Sequence, residues 1–192
     1  MHVLTKGTLA AALIGLGGAF SGVAAADDYQ LDPTHSFVQF KIKHLGYSWM
    51  FGRFDKLAGQ FSYDPAKPEA SKVEVTVDTA SINTNHAERD KHLRSKDFLE
   101  VDKFTAATFK STGYKGTADK GVLSGVLSFH GVDKPIEVQV EKVGEGKDPW
   151  GGYRAGFVGT YTMTRADFGL NYELGPASTT VELTFGMEGV KK

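Results

Sequence analysis

The sequence predicts an all-β domain of about eight strands, and three observations lead to that fold class. Apolar and polar residues alternate with a period of two in several short segments. Glycine and proline separate these segments, as they commonly do between strands. A single polar segment carries a helix-start signal. Strands of this kind form either a closed barrel or a two-sheet sandwich, and alternation alone does not decide between them.

The clearest strands are those in which apolar residues occupy every second position. They cover residues 36–43, 72–78, 136–141 and 181–185. Because alternate side chains of a strand point to opposite faces, each strand has one apolar face. We predict that the inward face, and hence the apolar ligand-binding wall, comprises Val38, Phe40, Ile42, Val73, Val75, Val77, Ile136, Val138, Val140, Val181, Leu183 and Phe185. A shift by one residue would bury Lys41, Glu74 and Glu137 instead.

Four further strands with less regular alternation complete the set, at residues 58–63, 105–112, 122–130 and 154–163. The segment 131–134 is short enough to be a hairpin loop, and Asp148-Pro149-Trp150-Gly151 has the composition of a turn. Gly144 and Gly146 are also expected between strands. No repeat or linker divides residues 27–192, so a single domain is predicted.

One segment departs from the strand pattern. Asn85 stands three residues before Glu88, which is the spacing of a capping box and predicts a helix that continues to Arg94. Leu93 is its only large apolar residue, so this helix is expected on the surface or over an opening.

An eight-stranded barrel is wide enough either to be filled by side chains or to hold one small ligand. A wall of Val, Ile and Phe with few larger residues favours a cavity. The aromatic patch of Tyr47, Trp49, Phe51 and Phe54 is open to two interpretations, a plug of core residues or the rim of an apolar entrance. As the rim, it would meet a ligand's polar head together with His86 and Arg89 at the helix start.

The first 26 residues resemble a secretory signal peptide. Lys6 precedes an apolar stretch at residues 7–20, and Ala24 and Ala26 provide the small residues of a cleavage site. The apolar stretch is shorter than the roughly 18 residues that a membrane span needs. A mature chain of residues 27–192, exported to the periplasm and without a transmembrane segment, is therefore expected.

Charge and composition exclude several classes of protein. Loss of Lys6 leaves 21 basic residues (22 − 1) against 23 acidic ones, a balance that gives no electrostatic reason to bind nucleic acid. The chain contains no cysteine, so disulfides and thiol nucleophiles are excluded. Asp27 and Asp28 are expected to be solvated at a frayed terminus.

No constellation of residues points to catalysis. The six histidines do not form a set of three or four metal ligands, so no metal site is predicted. Nucleophile-elbow, dinucleotide-binding and phosphate-loop motifs are missing from the sequence. We therefore predict a binding protein with no catalytic residues and no catalytic cofactor; an isomerase or hydrolase acting on an apolar lipid is the alternative.

Several short motifs are spread along the chain: HLGYSW at 44–49, TNHAERDKHLRS at 84–95, DFL at 97–99, GV at 131–132, KP at 134–135, DPWGG at 148–152 and LGPAS at 174–178. Together they resemble the motifs of the YceI family of periplasmic polyisoprenoid-binding proteins. The resemblance extends over nearly all of residues 27–192, and the long run at 84–95 is its most specific part.

The resemblance implies a lipocalin-like, eight-stranded antiparallel barrel with a short helical insertion. It also implies a hydrophobic tunnel that holds a long isoprenoid, such as a ubiquinone-like quinone or a polyprenyl lipid. The expected role is carriage of this lipid in isoprenoid quinone metabolism, transport or storage. No catalytic residue follows from the resemblance, and the identity of the ligand and the oligomeric state, a dimer included, stay open.

Overall fold

The computed structural model describes residues 26–192, and this part of the chain contains eleven strands, one α-helix and four 3₁₀ turns. The strands are β1 (Asp27–Leu31), β2 (Phe37–His44), β3 (Ser48–Phe54), β4 (Leu57–Tyr63), β5 (Lys72–Asp78), β6 (Ile82–Asn83), β7 (Ala106–Gly116), β8 (Lys120–Phe129), β9 (Val132–Lys147), β10 (Tyr153–Thr164) and β11 (Thr180–Lys191). Helix α1 spans Ala87–Arg94, and the 3₁₀ turns span Pro68–Ala70, Thr79–Ser81, Arg165–Phe168 and Pro176–Ser178. The predicted signal peptide, apart from Ala26, lies outside the described residues. Within residues 26–192, no helix has the length and hydropathy needed to cross a bilayer.

Eight of the strands form a closed ring. Each pairs antiparallel with its neighbours in the order β1, β4, β5, β7, β8, β9, β10 and β11, and β11 returns to β1 through pairs such as Tyr29–Lys191. The expectation of an eight-stranded antiparallel barrel is confirmed, and the sandwich that the strand pattern left open is excluded. Closure removes the open edges through which another chain could add to these strands.

One edge of strand β11 pairs with β10, and its other edge is shared by β2 and β1. The other three strands join the barrel through this shared edge. Its first half pairs with β2, where Glu182 lies opposite Lys41, and its last residues pair with β1. β3 pairs with β2, and the two-residue β6 pairs with β3. The sequence pattern does not identify β1, β3 or β6. Asp27, expected in a frayed terminus, instead lies in β1, and its carboxylate forms a 2.7 Å ion pair with Lys191.

The eight strands expected from the sequence all exist, but β9 is much longer than expected. It runs for 16 residues and includes Gly144 and Gly146, which were expected to separate strands. Its register with β10 shifts so that Val143 has no partner between the pairs Gly156–Gly144 and Phe157–Lys142. The glycines therefore accompany a β-bulge rather than a loop, since a bulge bends a strand without ending it.

The β8–β9 connection is tighter than the expected loop at 131–134. Its two residues are His130 and Gly131, with φ angles of 51° and 78°. Positive φ at both positions is typical of a type I′ hairpin turn, whose twist matches that of the flanking strands. The turn expected at Asp148 is present between β9 and β10, where the Asp148 carboxylate accepts hydrogen bonds from the backbone N–H groups of Trp150 and Gly152.

Helix α1 lies where the sequence predicted it, but its N-cap is His86 rather than Asn85. The His86 Nδ1 atom accepts a 3.3 Å hydrogen bond from the Arg89 N–H. Asn85 adopts the left-handed conformation with φ of 61°, which Asn tolerates better than most residues, so the helix starts one residue later. The buried Asp90 carboxylate accepts hydrogen bonds from the backbone N–H and hydroxyl of Thr84 and ties the helix to the end of β6.

Candidate ligand-binding cavity

The ring of strands, together with β2 and β3, encloses a cavity of about 600 Å³, a size typical of ligand pockets. Its wall is almost entirely aliphatic and aromatic. All twelve residues predicted for the inward face line it: Val38, Phe40, Ile42, Val73, Val75, Val77, Ile136, Val138, Val140, Val181, Leu183 and Phe185. Their placement agrees with the prediction from alternation, and their contact with a ligand stays a prediction.

Strand parity explains this wall. In β5, Val75 and Val77 are buried, whereas Glu74 and Thr76 are exposed on the outer face. On β2 the outward-facing Lys41 forms a 2.9 Å ion pair with Glu182 of the neighbouring β11. Charged residues are thus kept on the solvent side of the pleat, because the opposite register would place them in the apolar interior.

The cavity wall also includes residues that the sequence analysis did not assign to the inward face. Met50 and Phe54 come from β3, Phe61 from β4, and Leu123, Leu127 and Phe129 from β8. In β8 the sequence does place apolar residues at every second position, but Gly125 interrupts the pattern. The Phe109 ring of β7 packs over this glycine. A Cβ atom at Gly125 would lie 2.4 Å from that ring, so the missing side chain makes room for a neighbour's aromatic group.

One end of the barrel, which we call the α1 end, is covered by the helix and by the segment that precedes β11. Arg89, His92 and Leu93 of the helix border the cavity there. The His92 ring packs edge-on against Phe98 and Tyr172, with centroids 5.0 and 5.5 Å away. The polar helix therefore covers an opening, which is one of the two positions expected for it.

Only one member of the aromatic patch, Phe54, borders the cavity. Tyr47 is 88% exposed and Phe51 64%, and Trp49 lies on the outer face beneath the ammonium groups of Lys41 and Lys43. Neither interpretation of the patch, core plug or entrance rim, fits the positions of these three residues. The reason is parity within β3, a strand that the sequence pattern did not identify: Met50 points inward, so its neighbours point outward.

Of the two predicted head-group residues at the helix start, one borders the cavity. The His86 ring caps α1 and is not part of the wall. The Arg89 guanidinium lines the cavity and donates 2.7 Å hydrogen bonds to the Thr84 hydroxyl and carbonyl oxygens. The guanidinium is thus held by Thr84 rather than by an ion pair with Glu88 or Asp90, and the Asp90 carboxylate itself accepts hydrogen bonds from Thr84.

The opposite end of the barrel carries a polar cluster around Lys142. Its ammonium group donates to the Tyr63 hydroxyl at 3.4 Å and lies 3.3 Å from Glu145 and 3.4 Å from Asp119. Burial alone would lower the pKa of Lys142, but the hydrogen bonds with Tyr63 and Glu145 raise it above its usual value. Burial raises the pKa of Tyr63. The positive charge at this end is therefore compensated by carboxylates.

Among residues 26–192, the structure brings together one group of side chains that could hold a cation, away from the cavity. Ligand atoms of Asp32, His35 and Glu188 lie within 4.8 Å of one another. The Arg154 Nη1 atom already donates to Asp32 at 2.8 Å and to Glu188 at 2.6 Å. A permanently charged guanidinium therefore occupies the position that a metal ion would need, and the expectation that the protein has no metal site stays a prediction.

The hydrogen-bonding partners of His92, the cavity histidine nearest to an acid, do not form a catalytic triad. Its Nε2 atom lies 3.2 Å from Asp97, and no hydroxyl among residues 26–192 is hydrogen-bonded to its ring. The Ser178 hydroxyl at the same end donates to the Lys43 carbonyl oxygen at 2.6 Å. An activated nucleophile requires a hydroxyl within hydrogen-bonding reach of its base, so His92 and Ser178 do not form a base and a nucleophile.

The profile of the YceI-like domain matches residues 29–189, which include all or most of every strand of the barrel. The chain belongs to the YceI-like family. A UPF0312 protein of Ectopseudomonas mendocina is 53% identical over 98% of this chain and all of its own length. A UPF0312 protein of Shewanella baltica is 52% identical over 97% of this chain, again over its full length.

Three solved structures have a similar fold. The YCEI protein of Campylobacter jejuni is 33% identical, with a TM-score of 0.71 over 79% of this chain and 91% of its own. BcnA of Burkholderia cenocepacia, 22% identical, gives a TM-score of 0.72 over 82% of this chain and 98% of its own. A polyisoprenoid binding domain from Saccharophagus degradans, implicated in plant cell wall breakdown, gives 0.65 at 22% identity over 85% of this chain and 98% of its own. The last two similarities concern the fold.

Proposed function

We propose that this YceI-like protein is a carrier that holds the tail of a long apolar isoprenoid inside its barrel. The observation that carries the proposal is the enclosed cavity of about 600 Å³ with an almost wholly apolar wall. Apolar cavities of this size are a common form of lipid and cofactor site. The domain of Saccharophagus degradans with the same fold is described as polyisoprenoid binding, which supports this choice of ligand class.

The hydrophobic effect is large enough to support such a ligand. Burial of one CH₂ group contributes about 0.8 kcal/mol, so a five-carbon isoprene unit contributes up to ~4 kcal/mol before opposing terms. Association entropy and ordering of the tail offset much of this gain. A few buried units are still sufficient for a micromolar dissociation constant, near −8 kcal/mol.

The proposal extends to compartment and role. The signal-peptide-like start of the chain supports export to the periplasm, and a ubiquinone-like quinone or a polyprenyl lipid is the cargo that we propose. Carriage is favoured over chemistry because the cavity wall offers apolar contacts rather than an activated nucleophile. Transport or storage of isoprenoid quinone intermediates is the corresponding role.

The test is mass spectrometry of an organic extract from protein purified from its native host without detergent. We expect an isoprenoid lipid in roughly stoichiometric amount, because the tail would leave the apolar cavity only at the cost of exposing it to water. A lipid-free extract, combined with failure of the protein to bind added prenyl lipids, would contradict the carrier function. Conversion of an added lipid to a new product would instead indicate an enzyme.

A further inference from the structure

The α1 end of the cavity contains a buried guanidinium. Arg165 follows β10 directly, is 8% exposed, and borders the cavity. Its Nη1 atom donates to the Ser178 carbonyl oxygen at 3.0 Å, and its Nη2 atom donates to the Tyr172 carbonyl oxygen. Both acceptors are backbone groups without a net charge. Across residues 26–192, no carboxylate oxygen lies within 4.0 Å of this guanidinium.

Arg165 differs in this respect from Arg154 and Lys142, two partly buried cations. Arg154 contacts three carboxylates, and Lys142 contacts two. Burial of a charge is costly unless an opposite charge or strong hydrogen bonds compensate it, and arginine remains charged at any ordinary pH. Burial accordingly lowers the pKa of Arg165 from its usual value, and Glu173 counteracts this only in part.

One more cation borders the cavity at the same end. Arg89 is exposed and has no carboxylate within 4.0 Å among the described residues. The backbone of Lys43 adjoins Arg165 through Ser178, whose hydroxyl donates to the Lys43 carbonyl oxygen, but the Lys43 ammonium group lies over the Trp49 ring on the outer face. Among residues 26–192, the one acidic residue of the cavity wall, Asp119, belongs to the opposite end. An apolar wall screens charge poorly, so the buried charge of Arg165 produces a positive potential at the α1 end.

We propose that the α1 end binds the anionic head of the ligand, a phosphate or carboxylate group attached to the apolar tail, with Arg165 as its main charged contact. This inference rests on the proposed carrier function and specifies which lipids the cavity selects. A guanidinium has five N–H donors, and Arg165 uses two of them on backbone carbonyls, which leaves donors for an oxyanion.

A purely structural role for Arg165 is the competing explanation, since its two hydrogen bonds hold the segment before β11. Arg94 provides the matched control. It donates 2.7 Å hydrogen bonds to the backbone carbonyls of Ala80 and Ile82, but it does not border the cavity. If Arg165 only anchors the backbone, replacement of either arginine should change the affinity for all ligands by a similar factor.

The experiment titrates wild-type protein, Arg165→Met and Arg94→Met with geranylgeranyl phosphate, palmitate and geranylgeraniol. We expect the wild type to prefer the phosphate over the alcohol by at least about tenfold, and Arg165→Met to lose about that factor for both anions. The affinity of Arg165→Met for the alcohol should differ from that of the wild type by less than about threefold. Arg94→Met should keep the wild-type preference, and free inorganic phosphate should not compete, because the tail supplies most of the affinity.

The negative results of this titration can be told apart. A wild type that binds phosphate and alcohol equally would overturn the anion site while leaving the carrier function intact. A wild type that binds none of the lipids would overturn the carrier function itself. A preference that survives in a folded Arg165→Met variant would remove Arg165 from the site. If Arg165→Met does not fold, two measurements still test the anion site. They are the wild-type preference for the phosphate over the alcohol and the same preference in Arg165→Lys, which keeps the charge.

Discussion

The guanidinium of Arg154 donates a 2.8 Å hydrogen bond to the carboxylate of Asp32, which lies 122 residues earlier in the chain. The same guanidinium contacts Asp148 and Glu188. Hydrogen bonds from Arg154, Thr34 and His35 hold the pKa of Asp32 well below its usual range. The contact therefore joins the ends of β1, β10 and β11 in a way that depends on ionised carboxylates.

We expect Arg154→Met to lower the free energy of unfolding at pH 7 and to flatten its dependence on pH in acid. The folded-state pKa values of Asp32 and Asp148 are lowered, so their stabilisation is complete above the unfolded-state value of about 4 and is lost as the pH falls below it. The difference between wild type and variant should therefore shrink below pH 4. Urea denaturation at pH 7 and pH 3 measures it.

Arg53→Met is the control for that prediction. Arg53 forms one ion pair with Asp55 in which both side chains are exposed, so its loss should cost about 0–1 kcal/mol at pH 7. An Arg154→Met variant as stable as Arg53→Met at pH 7 would contradict the structural importance of the cluster.

Val75→Asp should abolish binding of all prenyl lipids. The side chain of Val75 is buried on the cavity wall, so the substitution places an unpaired carboxylate in an apolar interior. Thr76→Asp, on the outer face of the same strand, should bind like wild type. Lipid titration after confirmation of folding by circular dichroism compares them; undiminished binding by folded Val75→Asp would show that the cavity is not the site.

Gly189→Ala should destabilise the barrel by about 1–3 kcal/mol. A Cβ atom at this position would lie 2.4 Å from the Phe61 ring and 2.8 Å from the Tyr29 Cβ atom. The Phe61 ring stacks on Tyr29 with centroids 4.8 Å apart, so it has little room to move away. Chemical denaturation measures the change.

Gly144→Ala serves as the matched substitution, because nothing lies within 4 Å of its added methyl group. Its stability should stay within about 0.5 kcal/mol of wild type. Equal losses in the two alanine variants would mean that the close approach of Phe61 is not the cause.

Arg89→Ala should change the protein's discrimination between a quinone and a prenyl alcohol of equal tail length by at most about tenfold. Arg89 borders the cavity, but it is exposed, unlike Arg165, so water screens its charge and limits its contribution to a head group. Lys91→Ala, exposed on the same helix, is the control. A hundredfold effect would identify Arg89 as a principal contact, and lipid turnover lost in the variant would support an enzyme.

The exported protein should begin at Asp27. Ala24 and Ala26 occupy the small-residue positions that signal peptidase requires, so Ala24→Arg should block processing. Cleavage there preserves β1, whose pairing with β4 begins at Asp27 opposite Tyr63. Intact-mass measurement of the periplasmic fraction decides the point, and a mass corresponding to residues 1–192 would contradict it.

The sequence by itself determined the parts of the fold that depend on neighbouring residues. Alternation within one strand decides which side chains share a face, so all twelve residues predicted to face inward line the cavity. The helix after Asn85 was likewise predicted from local capping and polarity, with an error of one residue at its start. These signals extend over less than ten residues, and tertiary contacts do not reverse them here.

Only the tertiary structure decided which distant residues meet. The division of β11 between β1 and β2 closes the barrel and places β3, with Trp49 and Phe51 facing outward. Arg154 and Arg165 are only 11 positions apart in sequence, yet one contacts three carboxylates and the other none. The physical reason is that pairing between strands far apart in the chain determines each side chain's neighbours. A local sequence pattern does not specify that pairing.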